Sequence, residues 1–403
     1  MVEGSLLSKV ELQALSSCEA SQIERYMGLG LVTPQDDGAF DRGDVTRVRL
    51  LSALEASGVD LGQLAAAVNE DRFSLAFAGE MVADSVGLTP ETHQQVISRL
   101  GLEPDFARRL ELAIGLPTSS PTDLIREDDR ELLGLVAKAR EAGLEDENLA
   151  RVLRVFGLSV RQIVEAQRQL FRENVEDQLL TQGATFREML DSTARTRLAL
   201  QRIGYRTVYL LLRRFLEQVV IENLVERLEQ MLEEHGISRA SDQQTRVIVF
   251  IDLTGYTAST EASGDRQAAE QGGRLVEIAQ DFCARYAGRL VKSLGDGVML
   301  RFRGVEAAVL ASLEIVETSD EAGLSPARAG VAAGPVIQRD GDYFGRTVNL
   351  ASRLVDLARP GQVVVTAEAA ALIEGGSIAL EHGGAHELSG FTTPTSVFVA
   401  RRR

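Results

Sequence analysis

The sequence predicts two domains, an all-α amino-terminal half followed by a mixed α+β domain. Three observations carry this. Upstream of residue 235, apolar residues recur at three- and four-residue spacing, the signature of amphipathic helices. The stretch 235–244, His-Gly-Ile-Ser-Arg-Ala-Ser-Asp-Gln-Gln, is polar and carries helix-stopping residues, so it marks a boundary. Beyond it, β-branched runs alternate with helical periods in the order β-α-β-β-α-β, which is ferredoxin-like. The predicted divisions are a helical domain over 1–204, a linking helix over 205–240 and the α+β domain over 241–403.

In the first division, Leu132, Leu133, Val136, Leu144, Leu149, Val152 and Leu153 keep the helical period, with breaks expected at Gly115-Leu116-Pro117 and at Gly157. A bundle of short helices follows from this. From about Tyr205 to Glu234 the period lengthens into one amphipathic helix, with Val208, Leu212, Phe215, Val219, Leu224, Leu228 and Met231 near one face and no strict heptad; it joins the halves and is a surface for pairing with its copy. Next, Arg246 to Asp252 is a β-branched run closed by a carboxylate, followed by a helix from about Asp265 to Tyr286. A hairpin comes after it, with strands Arg289–Leu294 and Val298–Phe302 around Gly295-Asp296-Gly297. A second helix over Val305–Glu317 and a strand over Ala327–Ala333 complete the order.

Composition removes several function classes. The 403 residues are 44% hydrophobic and 25% charged, which excludes disorder over most of the length. A net charge of −16 gives no attraction to phosphate backbones or anionic membranes, so no nucleic-acid partner is expected. Two cysteines, Cys18 and Cys283, and four histidines are too few for a zinc cluster or a disulfide framework. Leu15-Ser16-Ser17-Cys18 matches a lipoprotein cleavage box, but Glu11 and Gln13 interrupt the apolar stretch such a signal needs. No apolar run approaches the ~18 residues that cross a bilayer; the nearest, Thr207–Leu212, is flanked by arginines. A cytoplasmic protein is expected.

The predicted topology places the end of the first strand and the turn of the hairpin at one sheet edge. Asp252 closes that strand and Asp296 occupies that turn. Two carboxylates so placed repel unless a cation lies between them, and their hard oxygens suit Mg²⁺ or Mn²⁺, which in pairs serve in-line displacement at phosphorus. The alternative is that Asp296 only builds an Asp-Gly hairpin turn. Leu253-Thr254-Gly255-Tyr256-Thr257 follows as a small turn whose N–H groups suit phosphate oxygens. No P-loop occurs, and Gly28-Leu29-Gly30 lacks the third glycine of a dinucleotide fingerprint.

Phe250-Ile-Asp252-Leu-Thr-Gly-Tyr-Thr257, Val291-Lys292-Ser-Leu-Gly-Asp296-Gly297 and Asp342-Tyr-Phe-Gly345-Arg-Thr-Val-Asn349-Leu-Ala-Ser-Arg353 resemble, in order, the three signature blocks of class III nucleotidyl cyclases. The resemblance covers about residues 245 to 403. It implies that Asp252 and Asp296 hold two metal ions on the phosphates of ATP, that Arg353 stabilises charge on the α-phosphoryl group, and that Asn349 orients the ribose. Lys292 and Asp342 match the base-selecting pair. Adenine offers an acceptor at N1 and a donor at N6, which a Lys and an Asp complement; guanine reverses both, at a cost of ~1–3 kcal/mol for each unpaired group. ATP is the expected substrate. Because such sites form between two catalytic domains and this chain has one with all six positions filled, the resemblance implies a homodimer with two equivalent sites. Arg266, Arg285 and Arg401 to Arg403 are candidates by charge for gripping pyrophosphate.

Ala20 to Pro34, Phe40 to Val45 and Leu61 to Leu64 resemble a MerR-type helix-turn-helix over residues 20–70. Asp36, Asp37, Asp41 and Asp44 crowd its wing, against DNA reading and in favour of contact or regulation. The order of helical domain, linking helix and cyclase domain resembles soluble actinobacterial cyclases controlled from the amino terminus. For that control, protonation at His93 or His235 and an apolar ligand in the helical bundle are both candidates. A rival reading is a DNA-binding or nucleotide-sensing regulator with a non-catalytic cyclase-like domain. A diguanylate cyclase is a third, but it needs G-G-[DE]-E-F where this chain has Leu294-Gly-Asp-Gly-Val298.

Overall fold

The computed structural model describes residues 6–16, 18–35, 37–70, 72, 74–75, 78, 87–116, 119–235, 245–255 and 265–403. Two compact units divide at Val225/Glu226.

The first unit begins with α1 (Lys9–Ser16), α2 (Ala20–Gly28), α3 (Arg42–Ala56) and α4 (Leu61–Asn69), which enclose a core of Leu12, Ile23, Tyr26, Phe40, Val48 and Leu51. Two of the acids predicted to repel DNA have a local task. Asp41 caps α3 by accepting the Asp44 N–H, and the Asp44 carboxylate accepts the Asp41 N–H in return, so both close a capping box. Asp37 accepts the Ala39 N–H at 3.1 Å, and Asp36 lies outside the described residues.

A second cluster of the same unit contains Val96, Phe106, Leu110, Ile125, Leu133 and Val136. It is built by β1 (Leu88–Thr92), α5 (His93–Arg99), α6 (Pro104–Ile114), β2 (Leu124–Arg126), α7 (Glu127–Glu141) and α8 (Asp146–Phe171). The two strands pair antiparallel, so this half is not purely helical as the period predicts. Thr89, Pro90 and Thr92 disfavour helix, and the segment is too short to show an alternation. Gly157 does not break a helix either. It lies inside α8, where a Cβ would stand 2.3 Å from the Ile114 carbonyl oxygen; the glycine is there so that α6 can approach.

After a π-helical turn at Arg172–Glu176 and the short α9 (Asp177–Thr181), α10 runs over Phe186–Glu234. It starts well before the predicted Tyr205. Residues 186–204 lack a clear apolar stripe, and contacts hold them instead: Arg197 pairs with Glu176 at 2.6 Å and stacks over Phe171.

The second unit contains a seven-stranded sheet. Its strands are β3 (Thr245–Leu253), β4 (Arg289–Ser293), β5 (Gly297–Phe302), β6 (Ala327–Pro335), β9 (Val363–Thr366), β10 (Ile378–His386) and β11 (Thr395–Arg402). The order β6-β3-β5-β4 is that of the predicted ferredoxin-like unit, and β9, β11 and β10 extend it beyond β6. Alternation along β3 makes two cores. Val247, Val249, Ile251 and Leu253 face α11 (Asp265–Arg285) and α12 (Val305–Glu321), whereas Ile248 lies in the opposite core with Met299, Leu350 and Leu354. That second face is covered by α13 (Arg346–Leu357), which follows the hairpin β7 (Ile337–Arg339) and β8 (Asp342–Phe344). A short α14 (Ala367–Ala370) follows β9.

Candidate active site

Asp252 is the last but one residue of β3 and pairs across the ladder with Gly297 of β5. The Leu253 N–H donates to the Asp296 carbonyl at 3.0 Å, which fixes the hairpin turn beside the strand end. The two acids are neighbours, as the topology predicts, although 44 residues of sequence separate them. Burial pushes the Asp252 carboxyl above the usual range; the hydrogen bond from Arg328 opposes this, and the Asp296 charge adds to it.

Arg328 was not identified from the sequence. It stands opposite Asp252 in the β3/β6 register, and its Nη2 and Nε lie 2.9 and 3.3 Å from Asp252 Oδ2. Its Nη1 donates to the Asp356 and Ala358 carbonyls at 3.3 and 3.4 Å, so the guanidinium is fixed from behind. A signal was there to be read. Arg328 is the one charged residue in Ala327–Pro335, an otherwise apolar or small-residue strand.

A divalent ion fits this edge. The donors are two carboxylates of like charge, of which one is already partly neutralised by Arg328, and among the described residues no third His, Cys, Asp or Glu joins them. Mg²⁺ is commonly held by one or two carboxylates with water and substrate phosphate completing the shell. The following turn offers less than predicted. Leu253 N–H is engaged by Asp296, and Thr254 donates both its N–H and its hydroxyl to the Pro326 carbonyl at 2.8 Å. Tyr256 and Thr257 lie outside the described residues, as does the Arg266 side chain.

Lys292 of β4 and Asp342 of β8 form a direct ion pair, and Asp342 also accepts the Tyr343 N–H at 2.8 Å. The two residues are therefore brought together from the sheet edge and the β7/β8 hairpin. Lys292 is placed by its pairing with Met299, whose other neighbour is Phe250.

Asn349 and Arg353 lie one turn apart on the exposed face of α13. They line a cavity of about 580 Å³ with Arg346, Phe391, Thr392 and Thr393. Arg353 reaches Asp356 at 3.3 Å, an exposed pair that contributes little to stability. The helix is seated by Thr347, whose hydroxyl donates to the Pro335 carbonyl at 2.7 Å, and by Gly330 of β6, where a Cβ would stand 2.4 Å from the Ala351 carbonyl oxygen.

The six predicted residues thus fall into three local pairs: Asp252 with Asp296, Lys292 with Asp342, Asn349 with Arg353. Among the described residues no hydrogen bond or ion pair joins one pair to another, and the cavity at Asn349 and Arg353 includes none of the other four. Three of the charge candidates for pyrophosphate hold ion pairs at the surface. Arg285 pairs with Asp281, Arg401 with Glu381 at 3.2 Å and Arg402 with Glu314 at 3.1 Å.

The family profile of the adenylate and guanylate cyclase catalytic domain matches residues 239–400. The chain is 31% identical over 311 residues to an adenylate cyclase of Streptomyces coelicolor, covering 73% of this chain and 74% of that protein. It is 27% identical over 283 residues to a pH-sensitive adenylate cyclase of Mycobacterium tuberculosis, covering 68% and 67%. An uncharacterized protein of Mycobacterium tuberculosis matches over a longer stretch, 28% identical over 356 residues and covering 87% and 89%. In the described residues no helix is long and apolar enough to cross a membrane. The chain belongs to the class III adenylate and guanylate cyclase family of lyases.

Proposed function

We propose that the protein is an adenylate cyclase that converts ATP to 3′,5′-cyclic AMP and pyrophosphate in the cytoplasm, at two equivalent sites of a homodimer. The observation that carries this reading is the meeting of Asp252 and Asp296 at one sheet edge. Asp252 and Asp296 would hold two divalent ions, Mg²⁺ or Mn²⁺. Such ions supply Lewis-acid activation of the ribose 3′-hydroxyl and neutralisation of the phosphates.

The chain's own residues do the rest. Arg328 holds the Asp252 carboxylate through Oδ2, and Oδ1, which accepts no hydrogen bond among the described residues, would meet the ligand. Lys292 and Asp342, already paired, present a donor and an acceptor to the Watson–Crick edge of adenine. Asn349 orients the ribose, and Arg353 meets the charge that develops on the α-phosphoryl oxygens as the 3′-oxygen bonds to phosphorus and pyrophosphate leaves. The division of the six residues into local pairs supports sites shared between protomers. Purified chain with Mn²⁺ should yield cyclic AMP from ATP and far less cyclic GMP from GTP. Equal products would reject the assigned role of Lys292 and Asp342.

Control from the amino-terminal half belongs to the same proposal, and one relative is named for pH sensitivity. His93 is buried, with Nδ1 3.5 Å from Glu111, and burial lowers its pKa while Asp129 and Asp123 oppose that. His235, by contrast, is exposed at the end of α10, with Nδ1 2.7 Å from the Met231 carbonyl. Of the two, His93 is the one whose protonation would place a charge out of water.

A further inference from the structure

The cavity at Asn349 and Arg353 has a second cation. Arg346 lies two turns before Arg353 on the same face of α13, and its guanidinium carbon stands over the Phe391 ring, 5.3 Å from the centroid. Ser389, Thr392 and Thr393, on the connection 387–394 between β10 and β11, close the cavity with hydroxyl groups. No acid is among the described residues that line it. In a chain of net charge −16, a cavity of about 580 Å³ that holds two guanidinium groups and no carboxylate is a local reversal of sign.

The fold does not account for the charge of Arg346. The residue is exposed and, unlike Arg285, Arg401 and Arg402, makes no ion pair among the described residues. It is the first residue of α13, where a positive charge opposes the helix dipole and an acid would be the stabilising choice. Its one contact, with Phe391, restrains the guanidinium and consumes none of its N–H donors. A restrained cation with free donors in an acid-free cavity is suited to an anion that carries several oxygens.

We propose that Arg346 is a further substrate-binding residue, which holds the β- and γ-phosphates of the nucleotide, the part that leaves as pyrophosphate, with Phe391 as its positioning residue. This rests on the reading above in which Arg353 meets the α-phosphoryl group. A triphosphate held there carries two more phosphates, and Arg346 is the cation of the same cavity that no acid neutralises. A guanidinium binds phosphate oxygens through two parallel N–H groups, a geometry that a lysine's point charge does not reproduce. Loss of Arg346 therefore weakens pyrophosphate and ATP and spares adenosine 5′-monophosphate, which keeps only the α-phosphate.

Titration calorimetry of the full-length chain with Mg²⁺ and inorganic pyrophosphate, and separately with adenosine 5′-monophosphate, tests this. Arg346→Met should weaken pyrophosphate about tenfold to a hundredfold, as expected for a charge-assisted hydrogen bond, and leave the monophosphate within about twofold. Arg346→Lys should recover part of the loss, and Phe391→Leu, which keeps the charge without its support, should fall between Arg346→Met and wild type. In steady-state kinetics the same order should appear in the KM for ATP and in inhibition by pyrophosphate, with a smaller change in kcat. Because Arg346 is exposed, melting temperature and oligomeric state should stay those of wild type. Equal pyrophosphate affinity in wild type and Arg346→Met, an equal loss for the monophosphate, or a changed oligomeric state that assigns Arg346 to a protein contact would overturn the proposal. If wild type forms cyclic AMP while Arg346→Met binds pyrophosphate unchanged, the cyclase reading stands and this inference fails. If wild type forms no cyclic AMP yet binds pyrophosphate through Arg346, the anion site stands and the cyclase reading fails.

Discussion

Asp296→Asn separates the metal-holding role proposed for Asp296 from its place in the hairpin, because Asn-Gly is as favourable a turn pair as Asp-Gly. What the substitution removes is one negative charge beside Asp252. Asp252 pairs directly with Gly297, so Asp296 is its offset neighbour, for which about 7 Å is the spacing to use. Coulomb's law then gives roughly 2 kcal/mol at an effective dielectric of 20 and about 0.6 kcal/mol in water. Asp252 is half-buried and Asp296 partly exposed, so about 1 kcal/mol is the working figure. In chelator-treated protein the variant should be the more stable, with the catalytic unit melting about 2–4 °C higher.

With Mn²⁺ the order should invert. An ion present at 100 times its dissociation constant stabilises wild type by about 2.7 kcal/mol, and the variant should gain little of this. The pH dependence has a definite sign. Asp252 has a raised pKa, so its stabilising contribution is present below the ordinary carboxylate range and is lost as pH rises through the folded value. The chelated gap between variant and wild type should therefore open from about pH 4 towards pH 7. Differential scanning fluorimetry across this grid, with cyclic AMP formation measured in parallel, reads all three outcomes. An Asp296→Asn variant that melts at or below wild type in chelator and rises equally with Mn²⁺ would refute the reasoning.

Other expectations follow from single contacts. Arg328→Met should raise the Asp252 pKa further and destabilise the catalytic unit by about 1–2 kcal/mol at neutral pH, with the loss shrinking under acid; urea unfolding at pH 4 and pH 7 checks it. Gly330→Ala places a Cβ 2.4 Å from the Ala351 carbonyl oxygen and 2.6 Å from the Val355 nitrogen. Backbone cannot yield there cheaply, so α13 must shift, and a stability loss of about 1–3 kcal/mol should accompany a fall in kcat as Arg353 moves. His93 has a depressed pKa, so the stability it contributes is complete above the unfolded value near 6.5 and is lost as pH falls through the folded one. His93→Gln should flatten that slope between pH 7 and 5. Burial raises Glu111 and Asp129, whose slopes have the opposite sign, so the wild-type minus variant difference is the quantity to plot.

The catalytic unit was legible because each of its elements is announced locally. Asp252 ends a β-branched run, Asp296 lies between two glycines, and the β-α-β-β-α-β order alone brings them to one edge. Arg328 was missed because its importance is set by cross-strand register, which a linear reading of β6 does not expose. The β1/β2 ribbon was missed for a similar reason: strands of five and three residues carry too few alternations to stand out among helices. Gly157 misled in the other direction, since a helix-breaking residue by propensity is here a packing residue that admits Ile114.

The three local pairs lead to a final test that requires no structure of the assembled dimer. If Asp252 and Asp296 of one protomer act with Asn349 and Arg353 of the other, then Asp296→Asn and Arg353→Ala chains are each inactive alone, yet complement when mixed. Random pairing makes half of the dimers mixed. Each mixed dimer has one site with both lesions and one with neither, so activity should return to roughly a quarter of wild type. Recovery should follow the exchange of subunits and saturate at a 1:1 ratio. If instead a single chain held a whole site, every site in the mixture would carry one lesion, and activity would stay at the sum of the two variants at any ratio. That flat result would remove the homodimeric site from the proposal while leaving the assignment of Asp252 and Asp296 intact, because their adjacency lies within one sheet.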